Sequence, residues 1–241
     1  MHPLNKLFAL NKGRGKFRME AAEDSATVYL YDVIVDTDAD AEWWGGVSAQ
    51  AFVKAFAAMT APVVHLRINS PGGSVFAGRA MEQAVREYKG TVIAHVDGYA
   101  ASAATMPLMA ASEVEIAPGG MIMIHKAWTI AMGNSDDLME TAELLDKIDG
   151  TLVKTYSART GAAEGDVAAW MAAETWLTSD EAVDRGFADR ISEAAPKDRI
   201  EWDLSAYGRA PAPAAEDPPP PAHEDPDRAA MLRALDLKTR I

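Results

Sequence analysis

The sequence contains no cysteine, which excludes disulfides, thiolate catalysis and cysteine-ligated metal and fits a reducing, cytoplasmic setting. Basic residues are few beside acidic ones: 23 Lys and Arg against 36 Asp and Glu, a formal net charge of -13. Such a balance opposes broad binding to nucleic acid or anionic membranes, both of which need clustered cations. No apolar run approaches the ~20 residues of a membrane-spanning helix, and residues 7–10 are too short for the core of a secretory signal. Neither His2 nor His223 has a partner at metal-ligand spacing, and no nucleotide-binding motif is present, so no metal or cofactor is expected. Aromatics make up only 7% of the chain, yet 49% of its 241 residues are hydrophobic. One ordinary globular core is therefore expected, folding without staples.

What the chain does have is centred on residues 91–111, TVIAHVDGYAASAATMPLMAA. The β-branched and apolar run 91–96 reads as a buried strand, Asp97-Gly98 as the turn that closes it, and a helix is expected just after. Ser102 falls at that junction among Ala100, Ala101, Ala103 and Ala104, small residues that leave it unobstructed. Backbone N–H groups at a helix start lack intrahelical partners and sit at the positive end of the dipole, a setting that suits an oxyanion. The residues alone leave two readings open: Ser102 as a nucleophile, or Ser102 as the N-cap of a core helix. Pro107 predicts that the helix is short or kinked.

Two further stretches bear on that choice. Residues 63–68 read as a second buried strand, ended by Asn69-Ser70-Pro71-Gly72-Gly73, a turn whose glycines admit close approach of another backbone. Residues 120–128, GMIMIHKAW, read as an apolar strand carrying His125 near its exit, 23 residues after Ser102. A strand histidine is as well explained by core or edge packing. His65 and His95 lie well back from the strand ends and are assigned to packing or an edge hydrogen bond.

INSPGGSVFAG, GYAASAA and MIHK, in that order, resemble the proteolytic subunit of the Clp (caseinolytic) serine proteases. The likeness continues through YSARTG at 156–161, WLT at 176–178 and EAV at 181–183, covering about residues 26–191. It implies an α/β, crotonase-like fold of repeated β-β-α units with a mainly parallel sheet and a handle helix through which rings stack. Carried over residue by residue, Ser102 is the nucleophile and His125 the general base, with the oxyanion hole formed by the N–H groups of Gly73, Gly72 and Ala103. It also implies protein or peptide substrates, a homo-oligomeric ring, a heptamer or stacked rings, and a chaperone ATPase as a partner. The likeness fails at one point: ungapped counting puts Trp170 where the family has its catalytic Asp, and an indole cannot orient an imidazole as a carboxylate does. Glu174 lies one helical turn further on and Asp166 one turn before. Glu174 is the favoured third member; a surface carboxylate and a Ser-His dyad are the alternatives.

The absent Asp, the proline-rich tail and the segments EWWGGVSAQAF and ETWLTSDEAV look like the Clp-related subgroup of phages and prophages, whose members mature the capsid. The expected activity is therefore a serine endopeptidase acting on capsid or scaffold protein, in a bacterial or infected host cell. A housekeeping Clp subunit is the alternative. Readings from other classes are a crotonase-type acyl-CoA enzyme, a signal-peptide-peptidase relative pairing Ser102 with Lys126, and an inactive assembly module.

The remaining chain is read around this domain, set at 21–195. Residues 1–20, with Lys6, Lys12, Arg14, Lys16 and Arg18, read as a mobile basic arm, 26–36 as a strand, and 36–46, with Trp43 and Trp44, as a loop. Helices are expected at 47–59, capped by Ser48, and at 74–88, stopped by Lys89-Gly90. Strand alternating with helix predicts a parallel α/β unit with reactive groups at the carboxyl ends of strands. Further helices are expected at 134–160, capped by Asn134 or Ser135 with a break at Gly150, at 163–173, and after the capping box Thr178-Ser179-Asp180-Glu181. Residues 196–241 read as a linker ending in a short helix at 231–241; residues 210–227 hold seven of the 13 prolines and cannot pack a core.

Overall fold

The structure, a computed structural model, describes residues 3–193 and 200–211. Two long parallel strands form its axis: β5 (Val63–Ser70) and β6 (Thr91–Ala101). β2 (Ser25–Tyr31) lies parallel to β5, and β1 (Lys16–Ala21) closes that edge antiparallel to β2. On the other side β7 (Glu113–Ile116) follows β6 over Ile93 to Val96, with β10 (Arg190–Ile191) beyond it. The last residues of β6, Tyr99 to Ala101, pair instead with β8 (Met121–Ile124), on which β9 (Thr175–Leu177) runs antiparallel. The result is an eight-stranded, mainly parallel sheet, flanked by a two-stranded one of β3 (Ile34–Val35) and β4 (Val47–Ser48). This is the α/β architecture expected from the alternation of elements.

Side-chain alternation gives the main sheet two unlike faces. Val64, Leu66, Ile68, Ala94 and Val96 are fully buried against helices α3 (Ala49–Ala58), α4 (Val75–Arg86), α5 (Thr105–Met109) and α6 (Ser135–Thr160). Each large apolar side chain so placed contributes about 1.5–3 kcal/mol. The opposite face carries polar groups: His65 Nδ1 meets His95 Nε2 at 3.0 Å, and His95 Nδ1 meets Glu115 at 3.0 Å. The two histidines are thus paired within the sheet, away from its carboxyl end, as expected.

Asp97-Gly98 is not the turn that the dipeptide suggests. β6 runs through it to Ala101, and the register moves from Ile68↔Val96 to Ser70↔Ala100, so this strand holds two extra residues. Asp97 is only 3% exposed. It is held there by Arg67, whose Nε donates to it at 2.8 Å, and by the Tyr31 hydroxyl. A buried carboxylate with such partners stays in a strand where a solvated one would end it.

Four other expectations are corrected. The stretch read as a mobile basic arm at 1–20 is ordered from Pro3 onward: α1 (Pro3–Asn11) buries Leu7 and Asn11, and β1 follows as a sheet edge. Residues 36–46 contain a helix, α2 (Asp38–Trp44), started by a reciprocal capping box between Thr37 and Asp40. α6 passes through Gly150 without a break, its hydrogen-bonded turns absorbing the propensity cost of about 1 kcal/mol. Residues 200–210 are not linker, since Trp202, Leu204, Ala206 and Tyr207 pack with Leu7, Val33, Ala101 and Met123. The rest of the expected linker, and the helix at 231–241, lie outside the described residues.

The other helices match their sequence signals. α7 (Glu164–Ala172) precedes β9, α8 (Ser179–Asp184) opens on the Thr178–Glu181 capping box, and α6 is capped by Asn134 and ended by left-handed Gly161. No helix among the described residues is long and apolar enough to cross a membrane.

The Arg67–Asp97 pair holds a buried carboxylate inside β6. Arg67→Met leaves the buried carboxylate without its cation and is expected to cost about 3 kcal/mol, lowering Tm by roughly 6–12 °C. A thermal melt within about 1 °C of wild type would contradict this role.

Candidate active site

Adjacent parallel strands deliver the site. Because Ala101 stands opposite Met123, the chain leaves β6 at Ser102 and β8 at His125 from the same end of the sheet. The Ser102 Oγ lies 2.7 Å from His125 Nε2. Ser102 is therefore not the helix N-cap: the short 3-10 turn Ser102–Ala104 has no side-chain cap, and the hydroxyl faces the imidazole. Its φ of 54° is in the left-handed region, a conformation that costs a non-glycine residue of order 1–3 kcal/mol and occurs where surrounding structure enforces it. Thr105 does part of that, donating to the Ser102 carbonyl at 2.6 Å while its hydroxyl meets buried Tyr156 at 2.7 Å.

The glycine loop lies directly against this turn. A Cβ on Gly72 would stand 2.5 Å from the Ala101 carbonyl oxygen, and one on Gly73 2.0 Å from that of Ile34. Only glycine fits either position, and both have positive φ. β3 holds the loop from behind, with Ile34 N–H donating to Gly72 O at 2.8 Å and Ser74 N–H to Ile34 O at 2.9 Å. The Gly72 N–H donates to Ser70 Oγ at 3.1 Å, so it is engaged within the loop itself.

His125 sits between aromatic rings. Trp128 meets it edge-on at 5.1 Å and Tyr207 at 5.4 Å. Burial pulls its pKa down to about 4, against the opposing pull of the Glu174 charge. The neutral ring, able to accept the Ser102 proton, is therefore the form present at neutral pH.

Glu174 does not touch the imidazole. Its carboxylate accepts from the N–H groups of Gly208 at 2.9 Å and Arg209 at 2.6 Å, and from Trp176 Nε1 at 3.3 Å. No carboxylate among the described residues hydrogen-bonds His125. Asp166 is exposed on α7, and Trp170 packs on Phe187 with Arg185 over its face. Lys126 is 55% exposed and points to Asp146 and Asp149, which removes the support for a Ser-Lys pair. Asp149 also accepts the Ala127 N–H at 2.8 Å, tying α6 to the stretch just after His125. Sequence reasoning missed Asp149, Trp128 and Tyr207; the apolar spacing of Trp202, Leu204 and Tyr207 was the one available signal for the last. Among the described residues no group of three or more His, Asp or Glu is placed to hold a metal.

The glycine loop, the Ser102 turn and the histidine are parts of a single matched stretch: a model of the family described as Clp protease covers residues 31–195. The chain belongs to the Clp protease family. Among curated relatives, ATP-dependent Clp protease proteolytic subunit 1 of Leifsonia xyli subsp. xyli is 31% identical over 55% of this chain and 68% of its own length. Proteolytic subunit 3 of Rhodococcus jostii is 32% identical over 52% and 63%. The chain thus spans about two thirds of the curated relatives it matches. A solved structure of a ClpP1 point mutant from Listeria monocytogenes superposes with a TM-score of 0.60 at 22% identity, covering 70% of this chain and 91% of that one. That likeness shows the Clp-type fold.

The low pKa of His125 has a measurable consequence in this Clp family member. An NMR titration of the ring is expected to show a midpoint near 4, whereas an unfolded histidine titrates near ~6.5. The groups facing it are the Ser102 hydroxyl, the Glu174 charge and the rings of Trp128 and Tyr207. Because the unfolded state binds the proton more tightly, this residue's contribution to stability is full above ~6.5 and is lost as pH falls toward 4. A midpoint at the ordinary value would contradict the burial.

Proposed function

We propose that the chain is a serine endopeptidase in which Ser102 is the nucleophile and His125 the general base. The observation that carries this reading is the 2.7 Å contact of Oγ with Nε2 at the carboxyl end of β6 and β8. His125 takes the hydroxyl proton as Ser102 Oγ bonds the carbonyl carbon of a peptide, and the carbonyl electron pair moves onto its oxygen. The N–H groups of Gly73 and Ala103 donate to that oxyanion; Gly72, engaged with Ser70, shapes the loop. Collapse expels the amine, which receives the proton back from His125, and water then repeats the sequence on the ester. Extended substrate pairs as an added strand beside residues 72–73. Glu174 acts at a distance, its charge favouring the imidazolium without touching the ring, so the catalytic unit is a dyad. A crotonase-type acyl-CoA enzyme needs no such Ser-His contact.

The substrate we assign is a capsid or scaffold protein of a phage, on the likeness of EWWGGVSAQAF and ETWLTSDEAV to the capsid-maturing subgroup. A second reading, a housekeeping subunit fed by a chaperone ATPase, is favoured by relatives whose names read ATP-dependent Clp protease proteolytic subunit. Under either reading the protein assembles into a homo-oligomeric ring, supported by the apolar Leu138, Met139 and Leu144 left exposed on the first half of α6.

Ser102→Ala is expected to abolish peptide hydrolysis while leaving assembly intact on size-exclusion chromatography; hydrolysis by the purified variant would remove Ser102 from the chemistry. Co-expression with a phage capsid protein separates the substrates. A cut that needs Ser102 and no ATPase supports maturation, and cleavage only with a partner ATPase supports the second reading.

A further inference from the structure

The ring that walls His125 on one side comes from the far end of the described chain. Tyr207 is 5% exposed. It stacks on Trp128 at 5.4 Å with 10° between the planes, and meets His125 and Trp176 edge-on at 5.4 and 5.7 Å. Its hydroxyl donates to the Pro71 carbonyl, in the loop that carries Gly72 and Gly73. Burial raises its pKa well above the ordinary phenol range. One side chain thus touches the base and the glycine loop.

The backbone around Tyr207 is fastened on both sides. Upstream, Trp202 Nε1 donates to Asn69 Oδ1 at 2.8 Å and Asn69 Nδ2 to the Ile200 carbonyl at 3.1 Å. Asn11 adds a reciprocal pair with the Asp203 backbone, both at 2.8–2.9 Å. Downstream, the N–H groups of Gly208 and Arg209 end on Glu174. The acyl-transfer steps require none of Asn11, Asn69, Trp202 or Tyr207, and residues 200–210 lie beyond the matched family stretch, which ends at 195. Tyr207 thus lies between His125 and the loop of residues 71–73, along which the proposed substrate strand would run.

We propose that residues 200–210 are a tethered occupant of the substrate cleft, anchored by Tyr207, and that a peptide reaches Ser102 only after displacing them. This inference rests on the serine-peptidase reading of the same site. Tethering holds the segment at an effective concentration in the millimolar range, so individually weak contacts keep the cleft filled. The ligand that competes best is an extended peptide offering its own aromatic side chain to the slot between Trp128 and Trp176.

The test compares full-length chain with its Tyr207→Ala variant, following the rate at which a fluorophosphonate labels Ser102. The variant is expected to label at least about tenfold faster, because truncating a buried aromatic removes most of the anchor. A synthetic peptide of sequence IEWDLSAYGRA is expected to slow its labelling again, while the same peptide with alanine in place of tyrosine is not. Tyr207→Phe keeps the stacked ring and removes only the hydroxyl; it is expected to label several-fold faster and guards against misfolding of the alanine variant. Equal or slower labelling in the folded variants overturns the inference alone. Failure of every form to label at Ser102 overturns the serine-peptidase reading and the inference together.

Discussion

The site depends on how closely the backbone of the glycine loop lies against that of the Ser102 turn. A Cβ at Gly72 would come within 2.5 Å of the Ala101 carbonyl oxygen and 3.0 Å of the Ser102 Cβ. Two segments at that separation cannot shift independently, so the left-handed φ of Ser102 is enforced by its surroundings. The strain is small beside the core beneath it, where β5 and β6 bury an unbroken row of aliphatic side chains. Stability of the sheet and geometry of the chemistry are therefore one problem.

The bulge at Asp97 and Gly98 solves the other half of it. Before the bulge β6 pairs with β7; after it, the same strand pairs with β8, the element that ends just before His125. Without that change of neighbour the imidazole would have no reason to emerge beside Ser102. The bulge in turn buries a carboxylate, and Arg67 on β5 and Tyr31 on β2 satisfy it. Bulges near active sites commonly re-aim a strand in this way.

Much of this was legible in the residues. The apolar runs of β5 and β6, the Asn134 and Thr178 caps and the glycine pair each name their structure locally, because the physics that sets them acts over a few residues. What was not legible depends on partners distant in the chain. Asp97-Gly98 looks like a turn until Arg67, 30 residues earlier, is placed beside it. Residues 200–210 look like linker until Trp202 finds Asn69, 133 residues away. Glu174 has the right charge and the right neighbourhood for a third catalytic residue, yet its oxygens are taken by Gly208 and Arg209, a choice no local pattern records. α2 was missed for a different reason: a short helix opened by Asp40 in a capping box and followed by two glycines carries little periodic signal.

The central claim is that the imidazole at 125 activates the hydroxyl at 102. Mass-spectrometric mapping of a fluorophosphonate adduct, in the full-length chain and in His125→Ala, tests it most directly. The account expects the adduct on Ser102, forming roughly a hundred- to ten-thousandfold more slowly once the base is gone. An adduct on another residue, or an unchanged rate in His125→Ala, would contradict it.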